Sequence, residues 1–356
     1  MIKSKTVFVV GAGASNEVGL PIGSDLTKKI SDLLRLKQRG LGDNISDPII
    51  SEAVHLLCQA NGHKEGEYIA ASKKISEAMP IAPSIDNFIH SQSGNDRIEF
   101  CSKLAIVRAI LGAERSSHLY YSDANIYNTI NFNLVSSTWY RQLWFLLCTD
   151  VSTQNVECIF DNIVFIFFNY DRCLEQFLSQ ALRVYYDLDS NAVQQIMGRL
   201  KIFHPYGQVG QLPAVTSGGN VSYGFEPSAR NLIVIAQLIK TFTERVEEST
   251  ALKTFQNEIA NSRKLVFLGF AFHELNMKLL QCNSNLGNWE IYGTRYRMSD
   301  SAAQVITGRI RSIFTPVIAS PDIMATYRAD VIARMPANLL DGKCAELFAE
   351  YGMNIE

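Results

Sequence analysis

The chain has 356 residues, of which 47% are hydrophobic and 19% charged, and its formal net charge is -2. That balance is ordinary for a globular protein, and the length allows one large domain or two smaller ones. There is no basic excess to hold nucleic-acid phosphates, so no nucleic-acid partner is expected, and no apolar run reaches the ~18–20 residues of a membrane helix.

The N-terminal stretch MIKSKTVFVVG has two lysines and a short apolar segment, but no apolar core of signal-peptide length. A cytoplasmic protein with no membrane partner is expected. The seven cysteines are scattered among apolar neighbours without a C-x-x-C pair, so buried free thiols are expected and a structural zinc is not.

Val7–Leu26, VFVVGAGASNEVGLPIGSDL, reads as a strand, a glycine turn and the start of a helix. Gly11 and Gly13, with Ala12, Ala14 and Ser15, let backbone come close to a ligand, and amides at the helix start would face an anion. The third glycine of a dinucleotide fingerprint is replaced by Asn16. The acidic residue expected about 20 positions on falls in a helical pattern instead, which disfavours a redox dehydrogenase. No G-K-[ST] follows, which removes the P-loop reading. Gly19, Pro21 and Gly23 make a stiff, bent segment that can lie over a nucleotide.

SDLTKKISDLLRLK then predicts a helix capped by Ser24, with Leu26, Ile30, Leu33 and Leu34 inward. From about residue 38 to 155 the pattern is mostly helical, clearest in CSKLAIVRAILGAERSS and SSTWYRQLWFLLCT. NIVFIFFNYD is a buried strand ending in Asn169, Tyr170 and Asp171. Asp171 reads either as a site residue or as the cap of the helix RCLEQFLSQALRVYY; Asn169 stands too early for a simple cap and is assigned to a ligand. The shorter strand LKIFHPYG ends in His204, whose chemistry suits proton transfer, with Tyr206 beside it. A long helix is predicted over 229–262. KLVFLGFAFHELN brings Gly269 to a strand end and then His273, Glu274 and Asn276 to a helix start. WEIYGTRYRMS and SIFTPVIAS are the last strand candidates.

The strands are continuous apolar runs, not alternating ones, as in a parallel sheet covered on both faces. The expected fold is therefore α/β: a Rossmann-like parallel sheet flanked by helices, with a large helical insertion after the first βα unit. One domain is expected, with a core over 1–37 and 156–320, the insertion over 38–155 and a C-terminal helical extension over 321–356.

Taken together, GAGAS followed by GLP, the strand end FNYD, the strand end FHPYG and the later LGFAFHELN resemble the sirtuin-like NAD-binding family, in the order that family has them. With PSIDNFIH and KLAIVRAIL, the chain is most similar to the bacterial NADase branch that acts in anti-phage defence. The resemblance implies a nicotinamide–ribose hydrolase with NAD+ as substrate and no metal, releasing nicotinamide and ADP-ribose. It implies Asn169, His204 and Asp171 as catalytic residues. It implies NAD+ contacts from Gly11, Ala12, Gly13, Ala14, Ser15, Gly19, Pro21, Asp25, Tyr206, Gly269, His273 and Asn276. It also implies a homo-oligomer triggered by a separate phage-sensing partner, such as a ring-forming ATPase. The chain departs from deacylating sirtuins in lacking the four-cysteine zinc module and in reading PIGSD where they read PDFR. A sirtuin-type protein deacylase, a non-catalytic module for NAD or ADP-ribose and an oligomer scaffold are the alternatives. The product, linear or cyclic, and the choice between NAD+ and NADP+ stay open.

Overall fold

The structure, a computed structural model, describes residues 1–39, 42–122, 124, 128–215, 220–240, 250–283, 289–315, 332 and 335–356. The chain starts with β1 (Thr6–Val10), the single turn α1 (Ala12–Asn16) and α2 (Gly23–Leu34). A polar hairpin, β2 (Leu36–Arg39) and β3 (Gly42–Ile45), leads into a helical layer. That layer holds α3 (Pro48–Asn61), α4 (Glu65–Ala78), α5 (Ile85–Ser91) and α6 (Asp96–Arg115), and α7 (Trp139–Cys148) follows. The sheet resumes with β4 (Ile163–Phe167), α8 (Cys173–Tyr185), α9 (Ser190–Met197) and β5 (Lys201–Phe203). Then come α10 (Ala229–Ala236), α11 (Thr250–Ala260), β6 (Lys264–Leu268), α12 (Glu274–Leu279) and β7 (Cys282–Asn283). The rest is β8 (Glu290–Thr294), α13 (Asp300–Arg311), β9 (Phe314–Thr315), β10 (Ala337–Leu340) and α14 (Cys344–Ile355).

Local chemistry explains several boundaries. Asp47 accepts from the amides of Ile49 and Ile50 at 3.0 and 2.9 Å and Pro48 takes the first helical position, so α3 starts there. It ends at Gly62, whose φ of 66° suits a residue without a side chain. Asn95 caps α6 through the amide of Ile98 at 3.1 Å.

Six strands form one parallel sheet in the order β10-β8-β6-β1-β4-β5. Numbered along the chain, this is the doubly wound order 3-2-1-4-5-6, and its direction of winding reverses between β1 and β6. β1, β4 and β6 are buried at every residue because both faces are covered. Val7, Val9, Val164 and Ile166 face one core with α2 to α6, α10 and α11. Phe8, Val10, Phe165 and Phe167 face a second core with α7, α8, α9 and α14, rich in aromatic rings such as Trp139, Tyr140, Phe177 and Phe348.

The second core also closes two buried charges. Glu114, at the end of α6, pairs with Arg172, just before α8; the Arg172 Nε donates to Glu114 Oε1 at 3.0 Å, and both side chains are essentially inaccessible. Arg172 also donates to the carbonyls of Val221 and Ser222, and the Gly224 amide donates to Glu114 at 3.0 Å. Glu17 accepts from the amide of Trp139 at 2.8 Å and from that of Ala345 at 3.0 Å, so one carboxylate serves the starts of α7 and α14. Burial pushes its carboxyl up, and those amide bonds oppose the shift.

The expected α/β class and parallel sheet are present. The helical region starts with the polar β2–β3 hairpin, not a helix. Ser24 does not cap α2, which starts one residue earlier, after Ile22, with no side-chain cap. The predicted helix over 229–262 is split. α10 stops at Ala236, and the Lys240 amide turns back to the Tyr206 carbonyl at 2.9 Å. Residues 241–249 lie outside the described residues. Of the strand SIFTPVIAS, Phe314–Thr315 pairs with β7 outside the main sheet, and 316–320 lie outside the described residues. The extension over 321–356 is not only helical: β10 pairs in parallel with β8 as the sixth strand, and residues 321–331 lie outside the described residues. Among the described residues no helix is long and apolar enough to cross a membrane.

Candidate functional site

The loops after β1 and β6 meet at the reversal of the sheet. The Gly11 amide donates to the Leu268 carbonyl at 2.9 Å and the Gly13 amide to the Gly269 carbonyl at 3.0 Å. A Cβ on Gly11 would lie 2.6 Å from the Gly269 oxygen. One on Gly269, whose φ is +54°, would lie 2.1 Å from the Ala14 nitrogen. These glycines therefore allow two backbones to touch. This corrects the expectation that the amides after β1 turn outward to an anion, because those of Gly11 and Gly13 are already bonded to the β6 loop.

Above this junction lies a cavity of about 450 Å³, within the ~300–1,000 Å³ usual for small-molecule sites. Its floor is the backbone of Gly11, Ala12, Gly13, Gly269 and Ala271. One wall is the end of β4, Phe168 to Asp171, with Tyr206 beyond it. A second wall comes from the helical layer: Pro21 to Ser24, Leu26, Ser84 to Asn87 at the start of α5, and Ile110. His273, Asn276, Thr294 and Tyr296 close the far end.

Asn169 is 6% exposed. Its Nδ2 donates to Ser15 Oγ at 3.0 Å, which in turn donates to Asp171 Oδ1 at 3.1 Å. Asp171 Oδ1 also accepts the Cys173 amide at 3.1 Å, so it holds the start of α8 as well as a place on the cavity wall. The Asn169 amide is thereby fixed with its nitrogen inward, and its Oδ1 has no hydrogen-bond partner among the described residues. Burial pushes the Asp171 carboxyl up, opposed by bonds from Cys173 and Ser15.

Of the residues expected at an NAD+ site, the structure gathers Gly11, Ala12, Gly13, Pro21, Asn169, Asp171, Tyr206, Gly269, His273 and Asn276 around this cavity. Tyr206 donates to Asn276 Oδ1 at 2.7 Å, locking two of them together. Four others stand apart. Ala14 is buried beneath, its carbonyl taken by the Trp139 indole at 2.9 Å. Ser15 orients Asn169 from behind. Gly19 turns the chain at φ 97° beside Ser117. Asp25 is exposed in the first turn of α2.

His204 also differs from expectation. It does not line the cavity. It stacks on Phe167 with ring centroids 5.3 Å apart, on the aromatic face, and its Nε2 lies 3.3 Å from Glu175 Oε1 on α8. The His204 Nδ1 and Glu175 Oε2 are buried without partners among the described residues.

Asp86, Tyr170, Thr294 and Tyr296 were not marked as site residues in the sequence. Tyr170 donates its hydroxyl to Asp86 Oδ1, and the Thr294 hydroxyl accepts the Gly269 amide at 2.9 Å. Their signal was position: Tyr170 sits inside the N-Y-D strand end and Asp86 inside PSIDNFIH. A larger cavity of about 670 Å³ lies beyond α8, lined by Arg115, Gln176, Tyr223 and Glu226 among others. It holds none of the expected residues, whereas the smaller one combines the sheet reversal with an unpaired buried amide oxygen. The site is assigned to the smaller cavity. The chain matches no known protein family and no curated protein.

Proposed function

We propose that the chain binds NAD+ in the cleft at the sheet reversal and hydrolyses its nicotinamide–ribose bond. The observation that supports this reading is the buried Asn169 Oδ1, without a partner among the described residues, at the carboxyl edge where doubly wound sheets take dinucleotides. The diphosphate would cross the glycine-rich floor at Gly11–Gly13 and Gly269. The nicotinamide ribose would meet Asn169.

In the reaction, the bond between the ribose carbon and the ring nitrogen breaks and its electron pair returns to the ring. Water then bonds to the ribose carbon and gives up a proton to solvent, leaving nicotinamide and ADP-ribose. The leaving group is already a cation, so the protein's task is to hold the ribose, face the developing positive charge with acceptors and place the water. Asn169 Oδ1 takes a ribose hydroxyl or that water. Asp171 fixes Asn169 through Ser15.

Asn169→Ala should lower nicotinamide release from NAD+ about 10²–10³-fold, the cost of removing one fixed polar group at a developing charge. Chromatography of the purified chain incubated with NAD+ reads this directly; equal release by both proteins would overturn the assignment. A binding module without turnover is the second reading. It is favoured by His204, whose ring lies on the aromatic face and so supplies no base in the cleft. Consumption of NAD+ in anti-phage defence, within a homo-oligomer triggered by a separate sensor, extends the proposal on the support of the sequence resemblance.

A further inference from the structure

A second cleft wall comes from the helical layer, and its charged contribution is the start of α5. Ser84 caps that helix through the Asn87 amide at 3.1 Å, which fixes Asp86 in the first turn, half-buried and on the cavity. Tyr170, the neighbour of Asn169, donates its hydroxyl to Asp86 Oδ1, so α5 is tied to the turn that carries the unpaired amide. A carboxylate offers about four acceptor positions, and Tyr170 uses one.

The cavity's charge has one dominant sign. Its ionisable acids and bases are Asp86, Asp171 and His273, and no Lys or Arg lines it among the described residues. With Asn169 Oδ1, the acidic groups present acceptors where Asn169, Tyr170 and Asp86 meet, apart from the glycine floor assigned to the diphosphate. The matching ligand has hydroxyl donors and a positive centre. A ribose bonded to a pyridinium ring has both; its dihydro form keeps the hydroxyls and loses the charge. Burial pushes the Asp86 carboxyl up, and the Tyr170 hydroxyl and the nearby His273 oppose that shift. A bound cation draws the group further toward its ionised form.

We propose that Asp86 is a ligand-contacting residue that selects the cationic nicotinamide ring of NAD+ over the neutral ring of NADH, through a carboxylate held by Tyr170 on the cleft wall. The inference rests on the dinucleotide reading of the site. It adds that the helical layer, and not only the sheet edge, supplies a residue touching substrate, and that this residue sets redox-state preference.

The test compares the full chain with Asp86→Asn, which keeps the oxygen that accepts from Tyr170 and removes the charge. Binding of NAD+, NADH and ADP-ribose is read by stopped-flow fluorescence before turnover. The variant should bind NAD+ about 10–100-fold more weakly, the worth of one charge-assisted contact, and the other two within about twofold of the parent. Asp25→Asn removes an equal charge from an exposed position outside the cavity and should shift none of the three. Equal shifts for all three ligands with Asp86→Asn, no shift at all, or the same loss with Asp25→Asn would overturn the inference. A parent chain that binds none of the three overturns both this inference and the proposed function. A parent that binds NAD+ in an Asp86-dependent way but releases no nicotinamide overturns only hydrolysis.

Discussion

On the aromatic face of the sheet, Glu114 meets Arg172 and Glu17 meets two helix starts, while His204 and Glu175 meet each other and each keep one further atom without a partner among the described residues. On the cleft face, Asn169 keeps a bare oxygen and Asp86 and Asp171 face a cavity. Both faces sit on the same strands, whose side chains alternate between them. The difference between the two faces is open space: on the first, polar groups are packed among rings and helices, and on the second they border a cavity that a ligand can fill.

This contrast can be broken by substitution. The largest effect should come from Glu114→Ala, which leaves the Arg172 guanidinium buried and unpaired and should cost about 3–5 kcal/mol in denaturant unfolding. A cost under about 1 kcal/mol would mean that the pair does not close that face. Next, His204→Ala should destabilise by about 1–3 kcal/mol, because Glu175 loses its partner in a buried position. Nicotinamide release per folded molecule should stay within a few-fold of the parent. A stable His204→Ala protein with release abolished would place the imidazole in the cleft during turnover and undo the division between faces.

A smaller, pH-dependent effect is expected at Asp171. Its folded-state carboxyl sits above the ordinary value because of burial, so the folded state binds more protons in that window. The stability it contributes is full below the unfolded pKa and is lost as pH rises through the folded pKa. Asp171→Asn keeps the oxygen that accepts from Ser15 and Cys173. Its thermal midpoint should gain on the parent as pH rises from about 4 to about 8, and parallel curves would refute the shift. The smallest stability change belongs to Asn169→Ala. That substitution removes an oxygen without a partner among the described residues and one bond to Ser15, and should move unfolding by about 0.5–1.5 kcal/mol even while turnover falls.

The parts legible in the sequence were those with one cause. β1, β4 and β6 are continuous apolar runs, and Asn169 follows directly from where the β4 run ends. β10 is hidden in the sequence because Ala337–Leu340 is a four-residue edge strand, only half-buried, whose apolar residues are interrupted by Asn338 and form no run of strand length. The face taken by His204 was also hidden. Ile166 pairs with Phe203, so His204 falls beside Phe167 and shares its side of the sheet. That parity depends on the register of a three-residue strand, and a shift of one would have put the ring on the other face. Asp86 needed tertiary information of another kind, since packing of α5 is what brings it against Tyr170, a neighbour 84 positions away.

The two amide bonds accepted by Glu17 have a consequence for how the protein is made. One of them spans 328 residues, from the first glycine loop to the start of α14. A ribosome exposes the strand and loop that floor the cleft well before α14, yet that loop gains its bond to Ala345 only when α14 has emerged. Until then the carboxylate stays hydrated and the loop lacks part of its support. The loop is thus made long before the helix that anchors it, and closing so long a span is a slow event in folding.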